Sequence, residues 1–170
     1  MGAWFGLRAA ALGLAVGCAG LLGGCGFTPL YAQQGVAPAL SHIEVVAPKG
    51  RASYLLAQSL DDALGKDRDA APAYRLDIKI VERTFSRGLT LNNIAERYEN
   101  HLRVTYDLVE LSTGKTLKSA VEPIEITYAA TQQPYAGLAA EQDAEQRAVD
   151  QAAQRISLDL AAYFAGKAKP

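Results

Sequence analysis

The first residue in this chain with a defined chemistry is a thiol. Leu22-Gly23-Gly24-Cys25 sets a leucine three residues before a cysteine, with two small residues between them. This is the pattern of a lipobox, in which the cysteine sulfur is acylated and the peptide bond before it is cut. The residues ahead are laid out as a lipoprotein signal peptide. Arg8 and the amino terminus charge the start, and residues 9–22 form an uncharged run too short to span a bilayer as a stop-transfer helix. An ordinary secretory signal, cut nearby and leaving Cys25 a free thiol, is the alternative. Cys18, after Ala15-Val16-Gly17, would leave an unusually short apolar run before it. A short buried helix is disfavoured, because the five glycines from Gly13 to Gly24 weaken one. The lipobox reading makes residues 1–24 a signal and Cys25 the lipidated first residue of the mature chain. Three acyl chains, at about 0.8 kcal/mol per buried methylene, would anchor it permanently.

The other candidates for chemistry are thin. Both cysteines lie at or before the expected cut, so the mature chain has no second thiol for a disulfide or a thiolate metal site. The histidines, His42 and His101, have no His, Cys or carboxylate at ligand spacing, and a surface or hydrogen-bonding role is expected for each. Gly114-Lys115-Thr116 resembles the tail of a phosphate-binding loop, but Val109 stands where the first glycine is required and a strand follows, so it reads as a turn. Asp61-Asp62 and Asp67-Arg68-Asp69 sit at a helix end and in a loop, as solvated charges. No catalytic constellation, metal site or cofactor is expected. Residues 84–97 are less bland, with Phe85, Leu89, Leu91 and Ile94 set among Arg83, Arg87 and Arg97. They form either a loop that tucks its apolar residues inward or an exposed tip that touches a membrane, a partner or an anion. Arginine suits the second role, because its fork pairs bidentately with phosphate.

The elements that would position these residues follow from periodicity. Residues 26–40 hold Pro29, Gly35 and Pro38 without sustained pattern and read, with Cys25, as a tether over residues 25–40. Ile43, Val45 and Val46 mark a short strand stopped by Pro48-Lys49-Gly50. Leu56, Leu60, Ala63 and Leu64 share one face of a helix over residues 52–64, with Gly65 just past its end. Tyr74, Leu76, Ile78 and Ile80 alternate with polar residues, as do Tyr98, Leu102, Val104, Tyr106 and Leu108, so each strand has one buried and one wet face. Ser112-Thr113-Gly114-Lys115 turns the chain into a last strand over residues 116–128, paired antiparallel with the previous one. Its apolar phase slips near Pro123, which predicts a bulge or an edge position there. From Pro134 to about Ala165 the period becomes helical, with Leu138, Val149, Ala152, Ile156, Leu160 and Tyr163 or Phe164 as the buried stripe.

The expected fold is α+β: a four-stranded sheet in β-α-β-β-β-α order, backed by two helices, one of them long and C-terminal. It forms one domain over residues 41–165, with 166–170 as a tail. The whole chain carries 17 basic and 18 acidic residues. Losing Arg8 with the signal leaves 16 against 18, a balance that argues against nucleic acid as a partner.

Two further stretches resemble a known family. Cys25-Gly26-Phe27-Thr28-Pro29-Leu30-Tyr31 is similar to the start of the lipopolysaccharide-assembly lipoproteins, the LptE family, particularly those of alphaproteobacterial type. Tyr128, Pro134-Tyr135-Ala136 and Ala140-Glu141-Gln142-Asp143-Ala144-Glu145 resemble that family's passage from last strand to last helix. The resemblance implies a noncatalytic lipoprotein of the outer membrane, anchored on its periplasmic side. It implies an LptD-type β-barrel as partner, which such proteins plug and help to assemble, and lipopolysaccharide as ligand. No motif here fixes which residues touch lipopolysaccharide; the basic residues expected to do so are Arg83, Arg87 and Arg97 near one loop, and Lys115 and Lys118 at the hairpin. An accessory lipoprotein of a lipid-transport ABC system is the competing reading.

Overall fold

Alternating hydrophobicity in the middle of the chain produces long strands, and the computed structural model describes them within residues 35–89, 95–131 and 133–167. The order is α1 (Val36–Ser41), β1 (Ile43–Val46), α2 (Arg51–Leu64), β2 (Tyr74–Leu89), β3 (Ala95–Glu110), β4 (Thr116–Ala129) and α3 (Pro134–Lys167). The strands form one sheet in the order β1-β2-β3-β4. β1 pairs parallel with β2, the crossover running through α2, and the other two pairings are antiparallel. The expected α+β class, strand order and long final helix are all present.

One helix is added to the expected pair. α1 lies inside the stretch read as a tether, and its Val36 and Leu40 are fully buried. A single turn offers only one i, i+4 repeat, too little to stand out beside Gly35 and Pro38. The signals around α2 are realised. Gly65 adopts φ 62° and donates to the Asp62 carbonyl, while Lys66 donates to that of Asp61, closing the helix with a left-handed cap.

One sheet face, here called the inner face, packs on the helices. Leu76, Leu102, Val104, Tyr106, Leu108 and Ile124 are buried there against Leu56 and Leu60 of α2 and Ile156 and Leu160 of α3. α3 brings Ala144, Ala148 and Ala152 to the core at i, i+4 spacing, and such small side chains let a helix lie close to its neighbours. Polar ties lock α3 in place. The Tyr106 hydroxyl donates to Asp159, whose Oδ2 lies 3.1 Å from Lys118 Nζ. Arg155 Nη1 donates to the Pro123 carbonyl at 3.1 Å, and Arg51 of α2 pairs with Glu145.

Two expectations about these elements need correction, and a third is narrowed to one of its two alternatives. The stretch 84–97 is not a loop throughout, because β2 runs to Leu89 and β3 begins at Ala95, in unbroken register from Tyr74↔Glu110 to Arg87↔Arg97. Leu138 is not in the buried stripe but 53% exposed, since the first turns of α3 extend past the core. Of the bulge or edge position expected at Pro123, the edge is taken: Pro123 lies in uninterrupted register on the edge strand β4, and the register shift in this hairpin falls between Leu108 and Val109, opposite residues 116–118.

Candidate functional site

Because β2 and β3 run past the buried core, every residue from Val81 to Gly88 is exposed, and the sheet ends in an overhang with only the first turns of α3 beside its inner face. Its outer face, away from the helices, carries Lys79, Val81, Arg83, Phe85 and Arg87 at alternate positions of β2. Register sets Arg103 beside Val81, His101 beside Arg83, Glu99 beside Phe85 and Arg97 beside Arg87. β4 adds Pro123 next to Arg103 and Glu125 next to His101.

These side chains form a connected cluster. The Phe85 and His101 rings meet edge to face, 4.9 Å between centroids. The Arg87 guanidinium lies 5.9 Å from the Phe85 centroid and its Nε donates to Glu99 Oε2 at 2.8 Å. That bond holds the Glu99 carboxyl below the usual range, with His101 assisting. His101 itself lies between two carboxylates, Nε2 3.4 Å from Glu99 and Nδ1 3.5 Å from Glu125. Val81, Arg83, Phe85, His101, Arg103 and Pro123 line a shallow hollow of about 430 Å³. An apolar floor with two guanidinium groups at its rim, beside His101 and the Glu125 carboxylate, can hold a molecule that is part hydrocarbon and part anion.

The opposite side of the overhang has its own cleft, of about 450 Å³, between the start of α3 and the sheet. Tyr98 and Tyr128 stack there at 5.4 Å and 30°, beside Thr84, Pro134, Gly137, Leu138 and Glu141. Burial, then the nearby Glu141 charge, pushes the Tyr128 hydroxyl above the usual phenol range.

The five basic residues singled out from sequence do not converge. Arg83, Arg87 and Arg97 share the outer face of the overhang. Lys115 is exposed in the turn at the other end of the sheet, about 35 Å away at strand rise. Lys118 faces the helices, held by Asp159 and 5.8 Å from the Tyr163 ring. Arg103 and Lys79 join the cluster through strand phase, which alone could have revealed them. The Glu125 contact to His101 crosses between strands, so no spacing along the chain shows it. His42 has its Nδ1 2.6 Å from the Pro38 carbonyl, the hydrogen-bonding role expected. Gly114 takes φ 69° in a turn where its N–H donates to the Glu110 carbonyl at 2.8 Å. Cys25, Leu91 and Ile94 lie outside the described residues. Among the described residues no group of three or more His, Cys, Asp or Glu is placed to hold a metal, and no helix is long and apolar enough to cross a membrane.

The same architecture occurs in other lipoproteins. The crystal structure of a candidate lipoprotein from Caulobacter crescentus CB15 is 42% identical, covering 80% of this chain and 98% of that one, with a TM-score of 0.69. The rare lipoprotein B of Shewanella oneidensis, at 15% identity and a TM-score of 0.54, covers 71% of this chain and 92% of its own. A minor lipoprotein of Acinetobacter baumannii, at 18% and 0.53, covers 71% and 88%. These last two share the fold. No curated protein matches the chain. The family model for lipopolysaccharide assembly, LptE, matches residues 40–160, from the end of α1 to the last buried turns of α3. The chain therefore belongs to the LptE family of lipopolysaccharide-assembly lipoproteins.

Proposed function

We propose that this protein is an outer-membrane lipoprotein, anchored through Cys25 on the periplasmic side, that plugs an LptD-type β-barrel. In this role it assists the barrel's assembly and the delivery of lipopolysaccharide to the cell surface, without catalysis. The observation that carries the reading is the outer sheet face. Apart from exposed Val81, Phe85 and Val121 it is mostly polar and charged along 16-residue strands, about 50 Å at strand rise, whereas the apolar band of a membrane barrel is about 25 Å tall around a polar interior. A hydrated lumen can accept such a surface; a lipid-facing or apolar partner would leave its charges unpaired.

Lipopolysaccharide joins phosphates to acyl chains, and the hollow at Val81, Phe85 and Pro123 offers both apolar floor and guanidinium rim. Arg83, Arg87 and Arg97, with Arg103, are the groups proposed to meet its phosphates, and Lys115 at the far turn is a separate contact. Lys118 is already engaged by Asp159 and Tyr163.

Affinity purification of the full chain from detergent-solubilised outer membranes tests the partner. Recovery of a large β-barrel supports the proposal, and capture of an inner-membrane permease with no barrel refutes it in favour of the ABC-accessory reading. For the ligand, charge reversal at Arg83 and Arg87 should weaken lipopolysaccharide binding, with a larger loss at low salt because exposed charges are screened beyond about 10 Å at 0.1 M. Unchanged binding at low salt removes those arginines.

A further inference from the structure

The two long edges of the sheet are treated differently. Leu111 N donates to the Ala73 carbonyl and Tyr74 N to that of His42, so odd-numbered residues of β2 bond β3 and even-numbered ones point away from it. β1 covers that outward side only opposite Tyr74–Asp77. Beyond β1, the backbone groups of Ile80, Glu82, Thr84 and Ser86 point outward, and among the described residues nothing pairs with them. By the same phase, β3 uses its even residues for β4, as the Glu110–Lys115 bond shows, so Pro123, opposite Arg103, faces out on the other edge. There proline removes the outward donor and Arg155 occupies the outward carbonyl. The β4 edge is guarded against strand addition; the β2 edge has neither device.

We propose that residues 79–87 of β2 form a docking edge for an extended segment of a partner protein that carries acidic side chains at alternate positions. Charge selects this occupant. On the outer face Lys79, Arg83 and Arg87 recur every fourth residue, with Val81 and Phe85 between. A second copy pairing antiparallel about Arg83 would set Arg83 against itself and Lys79 against Arg87, and like charges directly opposite destabilise a ladder. An added strand with acid, apolar, acid, apolar, acid at alternate positions meets every one of these residues in the closer, non-hydrogen-bonded pairs. Its other residues exchange backbone hydrogen bonds with Ile80, Glu82, Thr84 and Ser86. This inference goes beyond the barrel and lipopolysaccharide readings and stands on the edge alone.

The test is amide hydrogen exchange on the full chain in detergent, with and without the peptide acetyl-Glu-Thr-Val-Thr-Glu-Thr-Val-Thr-Glu-amide. Without peptide, the amides of Ile80, Glu82, Thr84 and Ser86 exchange fast and those of Val81, Arg83 and Phe85 slowly. With peptide, the first set slows at least tenfold. The same peptide N-methylated on its threonines, or with lysine for glutamate, gives no protection, whereas N-methylation on its valines is tolerated. Thr84→Pro, at an outward N–H, lowers affinity at least tenfold, and Thr84→Val leaves it within twofold. Slow exchange of the even-numbered amides without peptide means that a second copy or residues 1–34 already cover the edge, and overturns the proposal. Equal protection by the threonine-methylated peptide overturns it too, and that comparison decides the matter even if Thr84→Pro fails to fold. None of these outcomes bears on barrel capture.

Discussion

Tyr106→Phe isolates the polar tie between the sheet and α3. The ring is fully buried, so the substitution leaves no cavity and removes only the hydroxyl that donates to Asp159. A hydrogen bond to a charged acceptor contributes about 1.5–3 kcal/mol. Asp159 is 33% exposed and keeps Lys118 Nζ at 3.1 Å, so water and the ammonium replace part of what is lost. The expected cost is therefore near the lower end, about 1.5 kcal/mol, or a fall in Tm of roughly 5 °C. Asp159→Ala should cost more, about 2–3 kcal/mol, because it leaves the Tyr106 hydroxyl buried without an acceptor. Lys118→Met should cost least, about 0.5 kcal/mol, as a partly exposed pair. Alkali adds a second signature. Burial, reinforced by Asp159, raises the Tyr106 pKa well above its ordinary 10.0. Above pH 10 the unfolded chain releases a phenolic proton that the folded chain keeps, so stability falls by about 1.4 kcal/mol per pH unit. The phenylalanine variant lacks that loss, and the two stabilities should converge about one unit above pH 10. Urea unfolding followed by circular dichroism, from pH 7 to pH 11, measures all of this. A Tyr106→Phe cost no larger than that of Lys118→Met, or a constant gap across the alkaline range, refutes the role given to this hydroxyl.

Other substitutions probe different parts of the molecule. Ala152→Leu forces bulk into the α3 contact, where Ala152 is fully buried, and should cost about 3 kcal/mol in the same urea assay. Gly65→Ala puts a Cβ on a residue at φ 62° with no atom near enough to clash, so the cost should be the conformational one alone, about 1 kcal/mol. Cys25→Ser should abolish lipidation, read as loss of the acyl mass and of partition into the detergent phase.

Much of this fold is written in strict alternation. Tyr74 to Ile80 and Leu102 to Leu108 reveal their strands because one neighbour, the helical layer, lies on one side only. Past the buried core that contrast ends. Glu82, Thr84 and Ser86 occupy inner-face positions and Phe85 an outer one, so the strand pattern fades while the hydrogen-bonded ladder continues. Leu138 misleads for the same reason, as its helical spacing persists past the end of the core. Lys118 shows another limit: it shares the phase of buried Ile124, but apolar Leu117 and Val121 alternate in the opposite phase, so the pattern of the strand alone does not say which face it takes. The arginine cluster was half visible. Arg83, Arg87 and Arg97 stand out by composition and strand phase adds Arg103, but the contact of His101 with Glu125 exists only once β3 and β4 lie side by side.

α3 is the last of the described elements, and it supplies Ala148, Val149, Ala152, Ile156 and Leu160 to the core. Until those residues emerge from the ribosome, the sheet lacks the part of its cover that α3 supplies. The nascent protein therefore carries partly uncovered apolar strands until α3 is made, and cannot finish folding one element at a time. A truncation before Ile156 should thus leave a substrate for chaperones and proteases.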